Sequence, residues 1–498
     1  MTAAIQDFQG KFPKQLWPLF FSEMWERFCF YGMRGMLVIF MVDVLLLDTE
    51  KANLQYGATQ AFVYAFTFIG GLFADKILGF RKSLFWGGML MIAGSVILAI
   101  DPKSFFFLGI SFTIIGTGFF KPNITTIVGM LYKDGDARRD AGFSAFYAGI
   151  NLGALLGGYL CISVGNGSLF SEYVPTHLRW NVAFSFAAVV MIISLLTFIN
   201  TQKKLGTIGM SPLLHLTVSK RRLVEAGVFL GSLVTIPILM TLVSVPEYTD
   251  IFMAVIGPAA LLYLFYEMRN FSLVENKKLI AALIFILFSI VFWGFFEQSG
   301  GSLSLYAAEN LHNTFFGLTL DPNGVNNSAN SLFVILFATL VGLFWVWLST
   351  RKLEPSTTSK FGFGFLFLAG GFLIFFLGKN FASESGLTSL ELFTLGWLVI
   401  TFGELCLSPI GMSAVTKLAP EKIQGVMMGM WFLASAYGQY MAGILGAGIA
   451  KSAKNMSNFE KLQVYTAEYK LLALYALLAG ILLLLLSPYI KRLTGSVK

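Results

Sequence analysis

The sequence predicts an all-α polytopic membrane protein of fourteen spans, and three observations predict it. Of its 498 residues, 56% are hydrophobic and only 12% are charged. The apolar residues gather into runs of about 20, the length a helix needs to cross a bilayer, and not into the alternating ten-residue segments of an outer-membrane barrel. Sorted by the loops between these runs, with the run-end residues Lys417 and Lys470 counted in the adjoining loops, 24 of the 35 Lys and Arg residues lie on the side of the N-terminus, 8 lie on the other side, and Arg27, Arg34 and Lys121 lie deep inside runs. By the positive-inside rule both termini are then expected in the cytoplasm.

The first six spans are expected at 16–47, 54–74, 83–100, 104–132, 141–164 and 180–200. Two follow at 223–245 and 251–267, and the last six at 279–310, 328–350, 361–378, 389–418, 425–450 and 469–490. The division is six, two and six. It gives an N-terminal bundle at 1–200, a linker with two extra helices at 201–277, and a C-terminal bundle at 278–498. The extra pair reads as a lateral hairpin without charge inside the membrane.

Composition also narrows the function. The net charge of +8 follows from basic loops such as Lys220–Arg221–Arg222, which carry no interleaved aromatic surface for nucleic acid. The polar start MTAAIQDFQGKFPKQ does not read as a cleavable signal. Cys29, Cys161 and Cys406 sit in apolar runs without ligand spacing, so neither a disulfide framework nor a metal site is expected. His177, His215 and His312 fall in loops. Proton chemistry at depth is thus left to carboxylates. No protease or esterase motif appears at depth, so an enzyme is not expected.

The first span holds SEMWERFCFYGMRG, Ser22 to Gly35, with four charges in an otherwise apolar run. At about 100° per residue, Glu23, Arg27, Tyr31 and Arg34 fall near 0°, 40°, 80° and 20°, with Glu26 near −60°, so all five share a face. A charge at bilayer mid-depth costs about 2.5–3.5 kcal/mol even on the lenient insertion scale, so this face looks onto a polar cavity or an ion-pair network. Between the second and third spans, GLFADKILGFRK (Gly71 to Lys82) resembles the signature loop of the major facilitator superfamily. There Gly79 permits a turn, and Asp75 with Arg81 can latch neighbouring helices. The matching loop of the second half, Ser349 to Lys360, keeps only Arg351, Lys352 and Lys360.

The fourth span carries Lys121 followed by Pro122, a buried cation beside a missing backbone donor; Glu23 and Glu26 are its natural partners. In the fifth, Tyr147 and Asn151 lie one turn apart among Gly149, Gly153, Gly157 and Gly158. Tyr64 is a further aromatic hydroxyl in the second. The C-terminal half supplies Trp293 and Glu297 one turn apart, then Glu404 and Ser408 at the same spacing. Cations at depth in one half and isolated acids in the other match a zwitterion such as a short peptide.

These motifs together resemble the proton-coupled oligopeptide transporter family of the major facilitator superfamily, in its bacterial form. The resemblance is carried by ExxERFxxYG at Glu23 to Gly32, the loop at Gly71 to Lys82, GTGFFKPNI, FYAGIN, FFEQSGGS, and GELCLSPIGMSAVTKLAP at Gly403 to Pro420. It implies the major facilitator fold and proton-coupled import of di- and tripeptides by alternating access. Glu23, Glu26, Arg27, Lys121 and Glu297 would then serve proton coupling. Arg34 and Lys121 would meet the peptide carboxylate, and Glu404 with Asn330 its amino group. Tyr31, Tyr64, Tyr147, Asn151, Trp293, Ser408 and Trp431 would line the pocket. The chain departs from the family at Phe30, where a second tyrosine is usual, and at Ser331, where proline is frequent. No cofactor or nucleic acid is implied; the expected partners are peptide, protons and lipid, for a monomer in the bacterial inner membrane. A carrier of nitrate or another small anion, and a receptor without flux, are the rival readings.

Overall fold

Long apolar runs leave the backbone no partner but itself in lipid, and the chain answers with helices. The structure, a computed structural model, describes residues 5–133 and 135–494, without the side chains of residues 409 and 421. The helices are α1 (Leu16–Asp43), α2 (Thr49–Phe73), α3 (Phe80–Ile100), α4 (Phe106–Gly129), α5 (Arg138–Gly165), α6 (Arg179–Gln202), α7 (Val218–Ser244) and α8 (Pro246–Glu267). They continue as α9 (Leu273–Phe296), α10 (Ser302–Asn310), α11 (Pro322–Thr350), α12 (Thr357–Leu377), α13 (Leu390–Leu418), α14 (Gln424–Ser452) and α15 (Asn458–Thr494). The expected span at 279–310 is α9 and α10 in series. Taken so, fourteen helical spans run in the order six, two, six among the described residues.

Eleven of these spans are long and apolar enough to cross a membrane on composition alone. The three that fall short are α1, α4 and α14. α1 carries Glu23, Glu26, Arg27 and Arg34, α4 carries Lys121-Pro122-Asn123, and α14 is rich in Gly, Ala and Gln. Two of the three are thus held back by the polar residues that the sequence offers for function.

Two compact units form. One takes the chain up to Phe40 and then Phe62–Val245; the other takes Met41–Ala61 and the chain from Pro246 onward. Inside the first unit, α1 and α5 meet along a seam of small residues that repeats every four positions. Gly149 faces the Phe20 ring, Gly153 the Met24 carbonyl and Arg27, Gly157 the Phe28 carbonyl, and Cys161 faces Gly32. Partner numbers rise together, so the two helices run parallel, as first and fifth spans must. At Gly157 an added Cβ would strike the Phe28 carbonyl, a backbone atom that cannot swing aside. Gly157→Leu is therefore expected to separate α1 from α5 at a cost above the roughly 1–3 kcal/mol typical of overpacking. Size-exclusion profile and thermal unfolding in detergent check this.

A second seam occurs twice. In the first unit α3 and α4 cross antiparallel, with Gly87 against the Gly116 carbonyl and Gly94 against that of Gly109, each 2.6 Å from a notional Cβ. In the second unit α12 and α13 repeat the arrangement: Gly364 meets the Gly403 carbonyl at 3.0 Å and Gly371 that of Gly396 at 2.8 Å. The glycines of each pair lie seven residues apart on both helices in both units. α9 and α14, the first and fifth spans of the second half, likewise run side by side in parallel, through Gly294 with Met441 and Gly438 with Trp293. The two halves are thus one packing pattern used twice.

The extra pair, α7 and α8, changes unit at Val245–Pro246. α7 joins the first unit: Trp86 Nε1 donates to Ser232 Oγ at 2.9 Å, and Lys82 Nζ meets the Glu225 carboxylate at 2.6 Å. α8 joins the second, where the Tyr440 hydroxyl donates to Asp250 at 2.5 Å. Glu225 is 5% exposed and is tolerated because Lys82 and Arg221 neutralise it.

Candidate functional site

In the first unit the charged face of α1 folds into a compact network. Arg27 Nε lies 3.1 Å from Glu23, and the other arm of its guanidinium meets Glu26. All three are at most 1% exposed. A planar fork suits this task, since it reaches two carboxylates at once where an ammonium is a single point. The small face of α5 makes the room: Gly153 lies directly against Met24 and Arg27.

Lys121, on α4, places its ammonium 4.6 Å from the centre of the Tyr64 ring. Arg27 is the direct partner of both acids, Glu23 and Glu26. Arg34 lies over the Tyr31 ring at 5.7 Å. Tyr147 is 40% exposed, whereas Asn151 turns its amide onto the Tyr147 carbonyl at 3.0 Å.

The loop at Gly71 to Lys82 forms a π turn over Ala74–Leu78, closed by Gly79 at φ +76°. Asp75 is exposed, and Arg81 bonds to backbone carbonyls after α6: its Nη2 reaches Gly206 O at 2.7 Å and its Nε reaches Ile208 O. Gly79 packs flat against Met210 and Ser211, which leaves no place for a side chain there.

In the second unit the helix breaks where the acid sits. α9 ends at Phe296, Glu297–Gly300 make one 3-10 turn, and α10 starts afresh at Ser302. Such a break strands backbone carbonyls, and side chains collect them. Gln298 Nε2 donates to Gly294 O and Ala442 O at 3.1 and 3.0 Å, and Asn326 Nδ2 donates to Ser299 O at 2.6 Å. Asn323 donates to Ser304 O at 3.2 Å. Sequence reading missed these supports. The signal was there as Asn at 323, 326, 327 and 330, the i, i+3, i+4, i+7 stripe of one helical face.

Glu297 itself is 4% exposed, one turn beyond Trp293. Asn330 and Glu404 are brought together: Asn330 Nδ2 donates to Glu404 Oε2 at 2.8 Å and to Thr401 Oγ1 at 3.1 Å. Ser408 follows one turn along α13. Trp431 is 5% exposed and packs against Gly411, where a side chain would collide with its ring.

The chain was compared with known proteins. The model of the POT family matches residues 81–464. An uncharacterized transporter of Bacillus subtilis (strain 168), YclF, is 32% identical over 492 residues, spanning 96% of this chain and 94% of its own. A di-/tripeptide transporter of Lactococcus lactis subsp. cremoris is 31% identical, with 98% and 97% covered. Among solved structures, a mutant of peptide transporter POT in complex with alafosfalin superposes with a TM-score of 0.82 at 33% identity, covering 99% of this chain and 98% of that one. A family model that spans most of the chain and relatives matched nearly end to end agree with the sequence motifs: the protein belongs to the POT family and has the major facilitator fold.

Proposed function

We propose that the protein is a proton-driven symporter that imports di- and tripeptides by alternating access, as a monomer in the inner membrane of a bacterium with both termini in the cytoplasm. The observation that carries this is the division of charge. The first unit offers Arg34 and Lys121, each over an aromatic ring, while the second offers Glu404 held by Asn330. A peptide's carboxylate suits the first set and its ammonium the second. The substrate class is that named for the Lactococcus relative. Coupling is assigned to Glu23, Glu26, Arg27, Lys121 and Glu297, and pocket lining to Tyr31, Tyr64, Tyr147, Asn151, Trp293, Ser408 and Trp431. The domain reading is two six-helix bundles with α7 and α8 as an insertion.

The test is uptake of labelled dialanine into liposomes that contain the purified protein. Accumulation above the outside concentration is expected with an inward proton gradient, and its collapse with an ionophore. Equilibration without accumulation would remove the coupling. If peptide does not enter and nitrate competes for the site, the anion reading takes its place.

A further inference from the structure

An amide side chain has a donating end and an accepting end, and the end that Asn330 turns toward a ligand decides what it can bind. Three bonds fix that direction. Asn330 Nδ2 donates to Glu404 Oε2 at 2.8 Å and to Thr401 Oγ1 at 3.1 Å. Thr401 Oγ1 in turn gives its single proton to the Trp397 carbonyl, one turn back on α13, at 2.8 Å. A hydroxyl whose proton is committed in this way can only accept from a third group. An ionised carboxylate also only accepts. Both neighbours therefore demand the NH2 end of Asn330, and its Oδ1 is turned away from them. Among the described residues no donor reaches that oxygen. Asn330 and Glu404 are half-buried, while Thr401 is 1% exposed. The ligand can meet the pair but not the threonine.

We propose that Thr401 is a positioning residue that sets specificity for a charged amino end. By locking the amide of Asn330, it presents two acceptors together, the Glu404 carboxylate and Asn330 Oδ1. An ammonium brings three donors and no acceptor, so this arrangement suits it and a neutral end gains nothing from it. With valine at 401 the amide loses one of its two anchors, and its oxygen is no longer held toward the ligand. The proposal rests on the reading that Asn330 and Glu404 receive the peptide's amino group.

The experiment measures competition against labelled dialanine in exchange at equal pH, using dialanine and its des-amino analogue propionyl-alanine. The wild-type protein should prefer dialanine. Thr401→Val should weaken dialanine about tenfold, the size of one lost hydrogen bond to a charged group, while the analogue and the maximal exchange rate stay as they were. Thr401→Ser keeps the hydroxyl and should restore the preference. Glu404→Gln separates the two levels. If the preference is absent in the wild type or survives Glu404→Gln, the reading of the pair as the amino-end site fails and takes the proposal with it. If Glu404→Gln removes the preference and Thr401→Val leaves it intact, the role of Thr401 alone is overturned. An equal loss of both competitors in Thr401→Val would make Thr401 merely structural and would also overturn it.

Discussion

Arg27→Met should lower the stability of the protein by about 3–5 kcal/mol, the usual cost of taking one partner from a buried ion pair. Glu23 and Glu26 are 1% and 0% exposed, and Arg27 is the cation in direct contact with both. Methionine fills the stem but leaves two carboxylates facing each other without the guanidinium fork. Thermal unfolding of the purified protein in detergent reads the loss. Arg27→Lys should recover part of it, since a point charge can approach one acid but not bracket two. Adding Glu23→Gln and Glu26→Gln to Arg27→Met removes the stranded charges, so most of the stability should return while driven peptide uptake does not. That combination separates an arginine needed for folding from one needed for coupling, because the residues form one network and their effects are not additive. A melting temperature unchanged in Arg27→Met would show that the acids are neutralised from elsewhere.

Helix positions were legible because lipid forces one answer: an apolar run of spanning length becomes a helix, and its ends lie where polar residues begin. The rule misleads where an amphipathic turn precedes the apolar run. α15 starts at Asn458 and not near 469, because Leu462, Tyr465 and Tyr469 are buried while Lys461 pairs with Glu309 at 2.6 Å. A hydropathy reading sees only the charges. The same blindness hid the break after Phe296. The motif FFEQSGGS shows Glu297 and two glycines, but the groups that hold the turn, the Asn326 side chain of α11 and the Ala442 carbonyl of α14 that accepts from Gln298, lie far along the sequence.

Candidate site residues were legible in proportion to their cost. Charges at membrane depth are expensive enough that Glu23, Glu26, Arg27, Lys121, Glu297 and Glu404 stand out in any reading. Their partners do not. Asn330 came from family resemblance, and Thr401 from geometry alone, since a threonine in an apolar helix carries no signal of its own. The motif singles out Arg81, but not the carbonyls of Gly206 and Ile208 that it reaches. The seven-residue glycine pairs of α3–α4 and α12–α13 were also present in the sequence. They became meaningful only once the antiparallel crossings showed that each glycine faces a backbone carbonyl of the neighbouring helix within the same unit.

Glu297→Gln should abolish gradient-driven accumulation and spare exchange. Glutamine keeps the shape of the side chain and its hydrogen-bonding reach, so the turn Glu297–Gly300, held by Gln298 and Asn326, should stay in place. What is lost is only the ability to change charge. A group that gains and loses a proton in each cycle ties the proton gradient to the peptide gradient. A group fixed as neutral leaves a carrier that moves peptide in either direction with no preference. The internal-to-external ratio of labelled dialanine in liposomes should therefore fall to about one under an inward proton gradient. Counterflow of labelled against unlabelled peptide should stay within about twofold of the wild type, far less than the roughly 5–150-fold span that typical coupling energies control. The contrast is the informative quantity. A protein damaged at its helix break would lose counterflow as well, and a protein whose coupling runs through Glu23 and Glu26 would keep its accumulation. Retained accumulation would thus move the proton to the network around Arg27, where the two acids share one guanidinium and a proton on either is felt by both.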